Sequence, residues 1–188
     1  MFSNLLKKKV KEEVVVHTFL TNIFDVVEAG FPEICDVINN SPEFIQSPDI
    51  KSDNYKEFLL IVLAGNLKRV PEYFDAPKDN RILDKCIEQL TYIFDKSYDD
   101  IFTLIKKYQS FISKVNFPSK NTLYGMSKAV FYKYELAQYQ EEYFRNMNNP
   151  NPIFLKRINE VMENFVWNWD DFLEKYNVVD FDWKPYKE

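Results

Sequence analysis

Glycine is scarce in this chain of 188 residues, which contains only Gly30, Gly65 and Gly125. Tight β-hairpin turns need residues with a positive φ, and glycine adopts that conformation at the lowest cost. The two dipeptides most typical of such turns, Asn-Gly and Asp-Gly, occur nowhere in the sequence. An all-β sandwich or barrel is therefore difficult to build from this chain.

Residues that hold metals and cofactors are equally scarce. The sequence has one histidine, His17, and two cysteines, Cys35 and Cys86, which lie far apart among apolar residues. The spacings typical of zinc sites, phosphate-binding loops and dinucleotide-binding turns are all missing. The sequence therefore predicts no metal site and no cofactor, and it predicts that both cysteines are buried free thiols.

Positive charge is in deficit, since the net charge is −5 and the isoelectric point is about 5.1. A phosphate backbone repels an acidic protein on average, so we expect no nucleic-acid partner. The longest unbroken apolar run, residues 58–64, is too short to cross a bilayer. The first lysines follow a very short apolar stretch, which is the reverse of a secretory signal. We therefore expect a soluble cytoplasmic protein without a membrane partner.

Apolar residues recur at helical spacing along most of the chain. This spacing predicts an all-α fold, a mostly antiparallel bundle of six or seven helices in a single domain over residues 1–176. Residues 177–188 are expected to form an irregular C-terminal tail. The first helix is expected to begin at Ser3 or Asn4 and to end near Gly30, where glycine would provide a helix terminus.

His17 is the best single catalytic candidate in the sequence. It lies on the predicted apolar face of the first helix, and Glu13, one turn earlier, could orient its ring. No nucleophile is recognisable beside it, and a histidine hydrogen-bonded at the edge of the core accounts for the same pattern. We therefore predict no catalytic residue, and we favour a protein that is not an enzyme.

Tyrosines follow one side of a predicted fifth helix that covers residues 121–147. Tyr132, Tyr139 and Tyr143 each combine an apolar ring with a polar hydroxyl, as side chains do that line ligand cavities or interfaces. Together with His17 they define a possible ligand-binding cavity. A central helix packed on two sides, with its hydroxyls reaching the surface, is the plainer alternative.

Two tryptophans lie on opposite sides of a predicted sixth helix that covers residues 153–176. The spacing places Trp169 inward and Trp167 about 160° away on the helical wheel. The helix face around Trp167 is acidic, and its carboxylates are those of Glu160, Glu163, Asp170, Asp171 and Glu174. An exposed tryptophan among charged residues is typical of an interface hot spot. Alternatively, Phe181 or Trp183 in the tail covers the ring.

Two hypotheses about function remain open from the sequence. The first is a non-catalytic protein, such as an adaptor, inhibitor or neutraliser, that binds a basic protein partner through the acidic face around Trp167. The alternative is a small-molecule-binding protein or metal-independent enzyme with a tyrosine-lined cavity. An exposed Trp167 within an acidic patch would favour the first hypothesis, and a closed cavity lined by tyrosines would favour the second.

Overall fold

The computed structural model describes residues 7–180 of the chain. These residues form eight α-helices and one pair of short strands, with 3-10 turns at three of the junctions. In chain order the elements are β1 (Lys8–Lys11), α1 (Glu12–Asn39), α2 (Lys56–Arg69), α3 (Lys78–Phe94), α4 (Tyr98–Asn116), α5 (Thr122–Lys133), α6 (Glu142–Met147), α7 (Pro152–Met162), α8 (Trp169–Lys175) and β2 (Tyr176–Val179). The predicted all-α fold class is confirmed.

Helix α2 occupies the centre of the bundle. Every residue from 58 to 67 is buried, because this stretch is apolar on all sides and has no solvent-facing stripe. The helix contacts α1, α4 and α5. Gly65 allows the contact with α5, since a Cβ atom at this position would collide with the side chain of Met126.

Helix α1 is longer than the sequence predicts, because it continues through Gly30 and Pro32 to Asn39. The predicted end near Gly30 is wrong for a packing reason. A Cβ atom at Gly30 would lie 2.7 Å from Cζ of Phe165, so the glycine makes room for that ring and does not end the helix. The predicted start at Ser3 or Asn4 lies outside the described residues.

The hydropathy of α1 has an explanation within the bundle. By length and composition alone, this helix is apolar enough to cross a membrane. Ten of its eleven buried residues are apolar, and the helix packs against α2, α3 and α7. These ten residues therefore belong to the core of the bundle, while Val14 on the same helix is 51% exposed.

The two ends of the described chain meet in a parallel strand pair, in which Lys8 lies opposite Tyr176 and Lys11 lies opposite Val179. Residues 177–188 are predicted from the sequence to form an irregular tail, and β2 corrects this for residues 177–179. Sequence spacing did not indicate this strand, because its partner lies more than 160 residues away. Residues 181–188 lie outside the described part of the chain.

A cluster of charged side chains fastens this strand pair to the bundle. Glu12 is fully buried, and its carboxylate accepts two hydrogen bonds from Arg81 of α3, at 3.0 and 2.6 Å. The same guanidinium donates to Asp180 at 2.8 Å, just after β2. The Arg81 guanidinium therefore joins the start of α1, helix α3 and the C-terminal strand.

Candidate functional site

The predicted sixth helix is broken between Met162 and Trp169, and a single buried side chain stabilises the break. The amide of Asn66 accepts a hydrogen bond from the Trp167 backbone N–H at 2.7 Å and donates one to the Phe165 carbonyl at 2.8 Å. These are backbone groups that a continuous helix would have paired internally. Asn168 then caps α8 by accepting a hydrogen bond from the Asp171 backbone N–H.

The break places Trp167 and Trp169 in one aromatic cluster and not on opposite sides of a helix. Trp169 is fully buried and stacks on Phe19 at 5.2 Å between ring centroids, so its inward prediction is confirmed. Trp167 is half-buried, with its ring centroid 5.8 Å from those of Phe19 and Trp169 and 5.7 Å from that of Phe172. The prediction that Trp167 and Trp169 lie on opposite sides of one continuous helix is therefore wrong.

Neighbouring aromatic rings cover part of Trp167, while the tail residues Phe181 and Trp183 lie outside the described chain. Both indole Nε1 atoms, of Trp167 and Trp169, are buried without a hydrogen-bond partner among residues 7–180. Such groups cost free energy, so the cluster is held by its ring contacts and apolar burial.

Trp167 lines an open cleft of about 520 Å³ between α2, the start of α5 and the start of α8. We call this the Trp167 cleft. Its lining combines an apolar wall with polar and charged side chains from three segments of the chain. The lining residues are Arg69, Glu72, Tyr73, Lys120, Asn121, Thr122, Leu123, Glu163, Val166, Trp167, Asn168 and Asp170.

The guanidinium of Arg69 is engaged on three sides within this cleft. Its Nη2 donates to the Tyr73 hydroxyl at 2.7 Å, its Nε lies 3.4 Å from Glu72, and its Nη1 lies 3.4 Å from the Trp167 carbonyl oxygen. The Tyr73 hydroxyl donates in turn to Asp170 at 3.3 Å. Burial raises the pKa of Tyr73, which keeps its hydroxyl protonated as a donor. The N–H groups of Arg69 are thus hydrogen-bonded to neighbouring groups of the protein itself.

The acidic residues singled out from the sequence are all exposed. We call them the acidic face: Glu160, Glu163, Asp170, Asp171 and Glu174. Glu160 lies 3.9 Å from Lys156, and within residues 7–180 no ion pair is formed by Glu163, Asp171 or Glu174. Glu163 and Asp170 also line the Trp167 cleft, so the acidic face continues into it.

The structure does not bring the four residues of the alternative hypothesis together. His17 is exposed on α1, which corrects its predicted place on the apolar face. Helix α5 ends at Lys133, so Tyr132, Tyr139 and Tyr143 lie on three different elements. Tyr143 is 67% exposed, and Tyr139 packs on Phe44. Of the four residues, Tyr132 alone lines one of the clefts described here.

A second charged surface, which is basic, was not predicted from the sequence. Between Asp100 and Glu135 the sequence contains six lysines and no aspartate or glutamate. Lys106, Lys107 and Lys114 of this stretch are exposed on α4. Counting charge within this stretch, separately from the whole chain, would have revealed the surface.

Two open clefts flank α4 and have Lys114 in common. The cleft on the α2 side has a volume of about 820 Å³, and the one on the α5 side about 660 Å³. We call the lysines that line them the lysine face: Lys68, Lys106, Lys107, Lys114 and Lys133. Phe117 borders the first cleft and is 82% exposed, while Phe111 and Tyr132 line the second.

One lysine of this surface is fixed by an internal network. Lys133 lies 3.0 Å from Glu57, and its Nζ lies 4.4 Å from the Tyr108 ring centroid. The Tyr108 hydroxyl donates to Glu57 at 2.5 Å. Burial by itself would raise the pKa of Glu57, but the hydrogen bonds from Tyr108 and Lys133 and the lysine charges lower it. Burial and the hydrogen bond to Glu57 raise the pKa of Tyr108.

The two cysteines are buried free thiols, as the sequence predicts. Burial raises the pKa of both, and nearby Asp36 raises that of Cys35 further, so neither is activated as a thiolate nucleophile. Within residues 7–180, no group of three or more His, Cys, Asp or Glu side chains is arranged to hold a metal ion.

Comparison of the chain with protein-family models, with curated proteins and with solved structures finds no match.

Proposed function

We propose that the protein is a non-catalytic binding protein that holds a basic segment of another protein in the Trp167 cleft and against the acidic face. The observation that supports this most directly is the continuity of the two surfaces. Glu163 and Asp170 belong to both, so one partner could place an apolar or long cationic side chain in the cleft while its other charges meet the acidic face.

The chemistry of the cleft favours a lysine or arginine side chain. Aromatic rings attract cations through their negative faces, and long basic side chains can bury their aliphatic stems against apolar walls. Trp167, Leu123 and Val166 provide such a wall beside the carboxylates of the rim. Arg69 is paired with Glu72 at 3.4 Å, and Lys120 brings a second positive charge to the lining. The three carboxylates of Glu72, Glu163 and Asp170 outnumber these two cations, so the cleft keeps a net negative charge.

Affinity capture from native cells with a charge-reversed variant tests this proposal. The extract is treated with nuclease so that capture through nucleic acid is removed. We expect a basic protein retained by the wild type to be lost, or bound at least tenfold more weakly, by Glu163→Lys/Asp171→Lys. The matched control is Glu141→Lys/Glu142→Lys, which reverses two exposed carboxylates at α6 and should retain the partner.

Binding kinetics of the captured partner provide a second readout. Charge complementarity speeds association, so the association rate should fall as salt rises, and it should be lower for the acidic-face variant than for the control. If the acidic-face variant captures the same proteins as the wild type, with unchanged rates, the proposed function is wrong.

A further inference from the structure

The lysine face has the opposite chemistry to the protein as a whole. Within the described residues, Lys68, Lys106, Lys107 and Lys114 have no carboxylate oxygen within 4 Å. Only Lys133 is paired, with Glu57. A local concentration of unpaired positive charge attracts a polyanion even when the net charge is −5, because salt screens charges more than about 10 Å away.

The exposed side of α4 presents hydrogen-bond donors beside aromatic rings such as Phe102, which is 42% exposed. Thr103, Ser110 and Ser113 are exposed between the lysines. Lysine ammonium groups together with serine and threonine hydroxyls are the side chains that contact phosphate oxygens in nucleic-acid complexes. The Lys68 ammonium group already donates to the Ser113 hydroxyl at 2.7 Å, which fixes two of these groups side by side.

Aromatic rings accompany the lysines in both clefts. Phe117 is 82% exposed and directly follows α4. Phe111 and Tyr132 line the cleft on the other side. Proteins that bind single strands combine a basic groove with aromatic rings on which unpaired bases stack. In a duplex the bases are already stacked on each other, so exposed rings of this kind favour a single strand.

We propose that the lysine face binds a single-stranded nucleic acid, with its phosphodiester backbone along α4 and a base stacked on Phe117. A lipid surface fits this face less well. The apolar side of α4, with Ile101, Ile105 and Ile112, is buried in the core and cannot insert into a bilayer. Binding at the lysine face would be independent of the acidic face, and it differs from the sequence-based expectation of no nucleic-acid partner.

Fluorescence anisotropy of the full chain tests the proposal. The probes are fluorescein-labelled oligouridylate and oligothymidylate of about 20 nucleotides, which exceeds common single-strand site sizes, and a duplex of equal length. We expect the single strands to bind more tightly than the duplex. The logarithm of Kd should rise with the logarithm of salt concentration with a slope of about 0.7 per neutralised phosphate, or roughly 3 for the four lysines that are not paired with a carboxylate.

A charge-matched pair of variants locates the binding. The triple variant Lys106→Glu/Lys107→Glu/Lys114→Glu should weaken binding at least tenfold. The control, Lys11→Glu/Lys156→Glu/Lys175→Glu, changes the net charge by the same amount at exposed positions elsewhere, and it should weaken binding much less. Thermal unfolding of both variants verifies that they are folded.

The aromatic contribution has its own control. Phe117→Ala should weaken single-strand binding five- to tenfold through the loss of stacking. Tyr92→Ala removes a ring that is 86% exposed on α3 and should leave binding unchanged.

Four results would each overturn the proposal: no single-strand binding by the wild type, equal weakening by the two triple variants, equal binding of duplex and single strand, or binding to phosphatidylserine vesicles in place of the oligonucleotides.

Discussion

The acidic face and the lysine face differ in how the chain builds them. The acidic face comes from one short stretch, residues 160–174, that runs through a broken helix whose backbone depends on Asn66. The lysine face collects side chains from α2, α4 and α5, but it is centred on one uninterrupted helix. The net charge of −5 therefore describes neither surface. Because the two faces are supported differently, we expect mutations in the supporting core to affect them unequally.

The largest expected effect is at the aromatic cluster beneath the acidic face. Trp169→Ala removes a fully buried indole and should lower the free energy of unfolding by about 3–5 kcal/mol. Trp167→Ala should cost less, because that ring is only half-buried. Urea unfolding of both variants measures the difference. Equal losses of unfolding free energy would mean that Trp167, which lines the cleft, stabilises the core as much as Trp169 does.

A smaller loss is expected from the side chain that stabilises the helix break. Asn66→Leu leaves the Trp167 N–H and the Phe165 carbonyl without partners and should cost about 2–3 kcal/mol. The matched amide beside the lysine face is Gln109, whose bond to the Ala64 carbonyl is 3.3 Å long. Gln109→Leu should cost under about 1 kcal/mol. Capture of the partner by the acidic face should weaken in Asn66→Leu only. Weaker capture by both variants would contradict the specific dependence of the acidic face on Asn66.

The dependence of stability on pH tests the network around Glu57, which supports the lysine face. The folded pKa of Glu57 is lowered below its ordinary value of 4.5, so its ionised form stabilises the fold above that pH. This contribution is lost as pH falls through the lowered pKa. Urea midpoints of the wild type and Glu57→Gln should differ by a constant amount from pH 7 to about 5 and converge at lower pH. A constant difference down to pH 3 would contradict this role of Glu57.

The smallest effect is expected at His17, which belongs to neither face. Because its side chain is exposed on α1, His17→Ala should change the free energy of unfolding by less than about 0.5 kcal/mol. It should also leave both binding activities unchanged. A loss of more than about 1 kcal/mol in urea unfolding would show that His17 has a structural role its exposure does not account for.

The sequence predicts the helical class, and the apolar run of residues 58–64 leaves no polar stripe to face solvent, as in a central helix such as α2. It does not fix the rotation of α1. Three consecutive valines, Val14 to Val16, fit more than one apolar stripe, and the stripe through Val14 and His17 is not the buried one. The buried stripe instead runs through Val15, Val16 and Phe19.

Only part of the candidate site was predicted from the sequence. The acidic residues were identified as exposed because they lie close together in sequence. The position of Trp167 was missed because apolar spacing continues across the break. A local signal was present, since Asn168 followed three residues later by Asp171 resembles a helix start. The lysine face was missed because the net charge of −5 hides the local excess of lysine around α4. Lys68, 65 residues before Lys133, also joins this face only in the fold, where the two lysines line the clefts on either side of α4.

The pairing of β1 with β2 has a mechanical consequence. The chain enters the parallel pair at Lys8 and leaves it at Val179, which lies at the other end of the ladder. A force that pulls residues 7 and 180 apart therefore acts along the strands, so that the ladder hydrogen bonds are sheared together and are not opened one by one. The bonds of Arg81 to Glu12 and Asp180 lie beside this ladder and share the load. The fold should resist stretching from its ends more than it resists pulling through α4 and α5.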